Sequence, residues 1–181
     1  DKLMISKFLD IEVLGHYTLA ISLSTILIVI LSPISIAVLP KFTGLYSLGK
    51  NKEASELFQK LNSLSSILVL TMMINLIYFG KELIWIWTNN IELSILTYKY
   101  LPFTAFSLGM MSIAIIPYSI AIANGYTKLN NIIGIASLFF TIPGYWLATK
   151  YYGGLGTAIV FCCVQTLSTF IYIYIINKKF T

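Results

Sequence analysis

Uncharged polar side chains inside long apolar runs are the residues of this sequence best placed to contact a ligand. Asn75, Tyr118, Gln165 and Thr25 each lie in a run that contains no charged residue. Burying an amide without hydrogen-bond partners is costly, so we expect Asn75 and Gln165 to face the interior of a helix bundle. These four residues are the candidate lining of a hydrated cavity. Hydrogen bonding between helices is the alternative role for them.

Lysine supplies all 12 basic side chains of this sequence, because arginine is absent. Lys99 stands immediately before an apolar run, where its ammonium group would attract an anionic substrate to the outer mouth of a cavity. The alternative is that its apolar stem follows the helix and its ammonium group reaches lipid headgroups, which costs less. No lysine cluster is interleaved with stacking aromatics in a polar stretch, so we expect no nucleic-acid partner.

Enzyme signatures are missing from this sequence. The one histidine, His16, does not lie in an HExxH pattern, and neither a GxSxG nor a P-loop pattern occurs. Adjacent Cys162 and Cys163 fit neither a disulfide framework nor a metal-ligand spacing. We therefore expect no enzymatic activity, no metal site and no cofactor. Coupling to H⁺ or Na⁺ stays open, although no carboxylate lies deep in any apolar run.

Composition indicates the kind of protein that positions these side chains. Of the residues, 57% are hydrophobic and only 10% are charged, and the mean hydropathy is +0.84. These values are typical of an integral membrane protein. The sequence predicts an all-α bundle in one domain, residues 1–181, with spans at about 17–39, 63–80, 101–123, 132–148 and 155–176.

The first predicted span is the expected organising element, against which the other spans pack. It has 23 uncharged residues and would reach about 34 Å as a helix. Between the first two spans, 51–61 has apolar residues at helical spacing and predicts an amphipathic helix on the membrane surface. Pro33, Pro117 and Pro143 each lie inside a span and predict kinks.

Two helical faces are notable in the last two spans. The fourth span carries small residues that would let a neighbouring backbone approach closely, namely Gly134, Ser137, Thr141, Gly144 and Ala148. The fifth span follows closely spaced glycines and places hydroxyl and amide groups together, namely Thr157, Gln165, Ser168 and Tyr172.

Lysine distribution predicts the orientation of the five spans. The connectors 41–60 and 125–131 and the C-terminal tail hold seven lysines and two acids, net +5. The opposite side holds five lysines and five acids, net zero. By the positive-inside rule, the C-terminus lies in the cytoplasm. The first residue is Asp1 and no signal peptide is visible, so we interpret the sequence as a fragment of a longer protein.

The order of several short motifs resembles the bacterial polysaccharide flippases, the O-antigen and capsule-unit exporters of the multidrug/oligosaccharidyl-lipid/polysaccharide superfamily. The resemblance covers nearly the whole sequence. It is carried by DKLMIS, LGHYTLA, PISIAVLPKF, GKNKEASELFQK, IWIWT, IIPYSIAIANGYTKLNN and YYGGLGTAIV.

This resemblance implies a fold and an activity. The chain would be five helices of the six-helix C-terminal lobe of a MATE-like transporter, partnered by a missing N-terminal half. The implied activity is alternating-access translocation of an undecaprenyl-diphosphate-linked oligosaccharide across the bacterial cytoplasmic membrane. A multidrug or organic-cation antiporter, a lipid II flippase and a structural membrane subunit are the alternatives, and a membrane-embedded enzyme is the least favoured.

Overall fold

A computed structural model describes residues 1–180, and Thr181 lies outside the described residues. The described chain is helical and contains no strand, which confirms the all-α prediction. In chain order the helices are α1 (Lys2–Phe8), α2 (Ile11–Ser24), α3 (Ile26–Ser47), α4 (Asn51–Thr88), α5 (Ile91–Tyr98), α6 (Leu101–Ile113), α7 (Ile115–Ala123) and α8 (Lys128–Phe180).

Four helical stretches of the described chain are long and apolar enough to cross a membrane: Ile11–Ser47, Asn51–Thr88, Leu101–Ala123 and Lys128–Phe180. The last has 53 residues, about 80 Å if it were straight, which far exceeds a bilayer core. It bends at Gly153, whose φ of 64° and ψ of −153° are not helical. We therefore treat α8 as two helices, α8a (128–152) and α8b (154–180). Each of the five predicted spans lies within these helical stretches.

The two halves of α8 form an antiparallel hairpin. Thr149 and Thr157 share a hydrogen bond of 2.7 Å beside the bend. A Cβ atom added to Gly156 would lie 2.5 Å from the carbonyl oxygen of Ala148, so the two backbones touch there. Glycine at 153 and 156 therefore permits both the positive φ and the close approach.

The central element of the bundle is the helix pair α6 and α7, and the expectation that 17–39 organises the fold was wrong. In the most apolar part of Leu101–Ala123, 61% of residues are buried, against 17% in that of Ile11–Ser47. Helices α2, α3, α4 and α8 all pack against α6. The uncharged run 17–39 lies instead at the periphery, since an apolar outer face suits lipid as well as an apolar core does.

The predicted surface helix 51–61 and the predicted span 63–80 form one continuous helix, α4. No proline or glycine separates the two segments, so nothing ends the helix between them. Ala54 and Phe58 are fully buried, and Phe58 belongs to a core cluster with Phe42 and Ile120. The apolar face of 51–61 thus packs against the protein rather than against lipid.

One of the three predicted proline kinks, at Pro117, coincides with an interruption between two helices. The backbone leaves regular α geometry at Ala114, three residues before Pro117, as expected when a proline ring clashes with the preceding turn. Another break lies at Thr25, eight residues before Pro33. Pro33 and Pro143 lie inside helices that continue through them, and the nearest bend to Pro143 is at Gly153.

The connectors meet at two opposite ends of the bundle. Phe42, Phe58, Leu129 and Ile176 form one buried cluster, which Phe180 joins from the edge. At the other end the cluster contains Ile5, Tyr17 and Ala158, with Tyr100 packed against it. The connectors that hold seven lysines therefore lie at one end of the bundle, which we call the lysine-rich end. The connectors with equal numbers of lysines and acids lie at the other end.

Candidate functional site

A pocket of about 280 Å³, with a largely apolar wall that carries several polar side chains, lies between α7 and the two arms of the α8 hairpin. Tyr118 of α7 and Gln165 of α8b, two of the predicted cavity residues, meet in it. All of its lining residues are uncharged. The other lining residues are Met111, Ala114, Asn130, Ile133, Gly134, Ser137, Ser168, Thr169 and Tyr172.

Hydrogen bonds within the chain fix part of this lining. Tyr172 donates its hydroxyl proton to Asn130 Oδ1 at 2.8 Å, which ties the beginning of α8a to α8b. Gln165 donates from Nε2 to Thr169 Oγ1 at 3.3 Å. Within residues 1–180, no hydrogen bond engages the Tyr118 hydroxyl or Gln165 Oε1. Both groups are therefore available to a ligand in the pocket.

The pocket exists because the arms of the α8 hairpin meet near the bend and again at Asn130 and Tyr172, and are apart between these two contacts. Near the bend, a Cβ on Gly144 would come within 2.9 Å of Val160, so the arms touch. A Cβ on Gly134 would meet nothing within 4 Å, so the arms are apart there. The predicted small-residue face packs closely only in its Gly144 and Ala148 half, and its Gly134 and Ser137 half borders the pocket.

Other predicted cavity residues lie elsewhere. Asn75 is exposed on the outer face of α4 and donates from Nδ2 to the Thr71 carbonyl at 2.8 Å, so the expectation that it faces the bundle interior was wrong. The α4 face that is buried carries Met73 and Leu76 instead, and an amide can bond its own helix without a neighbour.

Thr25 and Lys99 also lie away from the pocket. Thr25 is half-buried at the break between α2 and α3, where its hydroxyl donates to the Ile21 carbonyl at 2.8 Å. Lys99 is exposed at the end of α5, at the end opposite the lysine-rich one. Neither side chain lines the pocket that holds Tyr118 and Gln165.

Several pocket residues escaped the list of candidates, although a signal for two of them existed. Ser168 and Tyr172 share the helical face of Gln165 at spacings of three and seven, and the sequence analysis placed them on that face without counting them as cavity lining. Asn130 is the third residue of α8a, and only the hairpin brings it to Tyr172. Contacts between sequence-distant helices of this kind carry no local signature.

Most other buried hydroxyl groups hold helices together. Ser24 and Thr104 share a hydrogen bond of 2.9 Å between α2 and α6. Ser35 and Ser119 share one of 2.6 Å between α3 and α7. The single histidine, His16, lies 3.3 Å from Thr97 Oγ1. Such bonds typically contribute about 0.6 kcal/mol each in membrane proteins. These bonds serve packing rather than ligand contact.

Metal binding has no support from the described residues. Among residues 1–180 no group of three or more His, Cys, Asp or Glu side chains converges. The polar groups that the pocket offers are hydroxyls and amides, set in an otherwise apolar wall. Such groups suit a neutral ligand rich in hydrogen-bonding groups.

Comparison with known proteins places most of the chain in one family. A family model described as MatE matches residues 1–147, from α1 through most of α8a. No curated protein and no solved structure matches the chain. The matched stretch includes Tyr118 and Asn130 but not Gln165.

Proposed function

This chain belongs to the MatE family, and from that premise we propose that it translocates a lipid-linked oligosaccharide across the bacterial cytoplasmic membrane by alternating access. Membership identifies a membrane transporter of the multidrug/oligosaccharidyl-lipid/polysaccharide superfamily. The choice of cargo within that superfamily is our proposal. The observation that carries it is the pair of unengaged hydrogen-bonding groups, the Tyr118 hydroxyl and Gln165 Oε1, in a pocket without a charged lining residue.

The physical task of such a transporter is to move a polar sugar through hydrocarbon while its lipid tail stays in the membrane. Each sugar hydroxyl removed from water needs a replacement partner, because an unpaired buried hydroxyl costs roughly 1–3 kcal/mol. The free Gln165 Oε1 can accept from a sugar hydroxyl, and the Tyr118 hydroxyl can donate or accept. One side of the pocket also lies near the lysine-rich end, because its lining residue Asn130 lies in the first turn of α8a.

Further parts of the proposal concern conditions and partners. The chain acts without enzymatic chemistry and without a cofactor, and an H⁺ or Na⁺ gradient drives the cycle if one is required. Its partners are membrane lipid, the lipid-linked oligosaccharide and an N-terminal half of the same protein. The lysine-rich end, with the C-terminus, faces the cytoplasm, and this orientation is supported by the meeting of the seven-lysine connectors at one end.

The alternative is a MATE-type multidrug or organic-cation antiporter, which family membership fits equally well. The two cargoes differ in charge, so the experiment offers the protein one cargo of each kind. The full-length protein is reconstituted in proteoliposomes with an undecaprenyl-diphosphate oligosaccharide, and an impermeant lectin reports how much sugar reaches the opposite leaflet. Parallel vesicles receive ethidium under an imposed H⁺ or Na⁺ gradient.

We expect oligosaccharide translocation without ethidium accumulation. Gln165→Leu removes the free acceptor and should slow translocation about tenfold, which corresponds to one hydrogen bond to a buried polar group. Cys163→Leu is the matched control, because Cys163 is exposed on the same helix outside the pocket. Gradient-driven ethidium accumulation without sugar movement would establish the antiporter instead. The absence of both activities would favour a structural subunit.

A further inference from the structure

A second polar cleft, of about 440 Å³, lies at the lysine-rich end between α4 and the end of α8b. Phe58 contributes apolar surface, and the other lining residues are polar: Gln59, Asn62, Ser63 and Asn177. The three polar residues of α4 share one helical face, at spacings of three and four. This cleft shares no lining residue with the pocket at Tyr118 and Gln165.

Asn62 carries an unsatisfied acceptor in this cleft. Its Oδ1 atom is buried and has no hydrogen-bond partner in the described chain. An orphaned buried amide oxygen costs roughly 1–3 kcal/mol, so a ligand that brings a hydroxyl or N–H donor would recover that free energy. Most other buried polar atoms of the described helices bond a neighbouring helix or their own.

The height of the cleft relative to the membrane limits the ligand. Asn62 directly precedes the uncharged run 63–80, and Asn177 directly precedes Lys178 and Lys179. Both amides therefore lie where hydrocarbon gives way to the headgroup layer. A molecule that reaches them from the membrane presents its headgroup and keeps its chains beside α4 and α8b.

Charges beside the cleft favour an anionic headgroup. Lys60 and Lys178 are exposed and adjoin the cleft residues in sequence, on α4 and α8b respectively. Glu56, one turn before Gln59, is the acid nearest along α4, and the Lys179 ammonium lies 3.3 Å from the centre of the Tyr126 ring. The local balance of Lys60, Lys178 and Glu56 is positive. Basic pockets between helices near the headgroup layer are typical sites for anionic lipids.

From these observations we propose that the cleft binds the headgroup of a hydroxyl-bearing anionic phospholipid of the phosphatidylglycerol type. A rotation of the Asn62 side chain turns Oδ1 to the cleft, where a headgroup hydroxyl donates to it, and the phosphate lies toward Lys60 and Lys178. The amides of Gln59 and Asn177 border the same headgroup. This site is independent of the cargo, because a sugar flippase and a cation antiporter would both retain it.

Native mass spectrometry of the full-length protein in detergent tests this site. The probes are phosphatidylglycerol, phosphatidylethanolamine and phosphatidylcholine with identical acyl chains, added singly at equal concentration. We expect phosphatidylglycerol to be retained about tenfold more tightly than phosphatidylcholine, as for one charge-assisted contact plus one hydrogen bond. Preference for phosphatidylethanolamine would contradict the anionic assignment, and equal retention of all three would mean that no headgroup site exists.

Two kinds of variant separate loss of the site from loss of folding. Asn62→Leu should weaken phosphatidylglycerol retention about fivefold by removing the acceptor. The double variant K60Q/K178Q changes only exposed side chains and should weaken it similarly while leaving phosphatidylcholine retention unchanged. Asn131→Leu, an exposed asparagine of α8a outside both pockets, is the matched control. Wild-type retention in both variants would refute the site.

Discussion

Replacing Gly156 by alanine should loosen the α8 hairpin, because the new methyl group has no room. Its Cβ would lie 2.5 Å from the Ala148 carbonyl oxygen, 3.0 Å from the Ala148 carbonyl carbon and 2.8 Å from Tyr152 Cβ. Two of these three atoms belong to the backbone, which cannot rotate away as a side-chain tip can. The arms of the hairpin must therefore separate at this point.

The expected change in the free energy of unfolding combines two destabilising effects and one stabilising effect. Inserting a methyl group into a closely packed contact costs about 1–3 kcal/mol. Separation of the arms also stretches the 2.7 Å bond between Thr149 and Thr157, worth about 0.6 kcal/mol. Alanine returns up to about 1 kcal/mol through its greater helix propensity. We therefore expect Gly156→Ala to lower the free energy of unfolding by about 1–3 kcal/mol.

Gly134→Ala is the matched control in the other part of the same hairpin. A Cβ there would meet nothing within 4 Å, so helix propensity alone should act and stability should rise by up to about 1 kcal/mol. Unfolding in mixed micelles at increasing SDS fraction, followed by circular dichroism, measures both variants. Equal stability of Gly156→Ala and Gly134→Ala within about 0.5 kcal/mol would refute the packing of the hairpin.

Three further predictions address other contacts. Thr104→Val removes the 2.9 Å bond to Ser24 and should cost about 0.5–1.5 kcal/mol in the same unfolding assay, whereas the exposed Thr71→Val should cost less. Tyr172→Phe removes the bond to Asn130, so hydrogen exchange should speed up at 128–134 and stay unchanged in α6; equal exchange would contradict the anchoring role. In a variant with Cys162 and Cys163 replaced by Ala, an impermeant maleimide should label Asn90→Cys in intact cells and Asn51→Cys only after permeabilisation; the reverse pattern would invert the orientation.

Apolar periodicity and run length predicted the helices well and their packing less well. Each predicted span lies in a continuous helical stretch, although 17–39 and 101–123 each cross a break between two helices, because an uncharged apolar run of this length is a direct signal of a membrane span. The central position of α6 and α7 was not predicted, since lipid-facing and protein-facing residues are equally apolar in a membrane protein. Ser107 and Ser112, for example, are buried in α6, and the sequence prediction did not single them out.

The candidate site was predicted in part for a related reason. Tyr118 and Gln165 share a pocket, but Asn75 faces outward and bonds the Thr71 carbonyl of its own helix. Depth in an apolar run shows that an amide needs a partner and does not show which partner it has. Asn130 joined the site through the α8 hairpin, which depends on the bend at Gly153 rather than on any feature near Asn130.

The central claim, that the pocket between α7 and the α8 hairpin contacts the sugar of the cargo, has a direct test. Ser137→Cys places a thiol in the pocket wall, in a full-length protein whose Cys162 and Cys163 are replaced by Ala. The rate of reaction with a small polar maleimide is measured in proteoliposomes, alone and with either the lipid-linked oligosaccharide or ethidium. We expect the oligosaccharide to slow labelling about tenfold and ethidium to leave it unchanged. Protection by ethidium alone, or translocation of the oligosaccharide with unprotected labelling, would contradict the account.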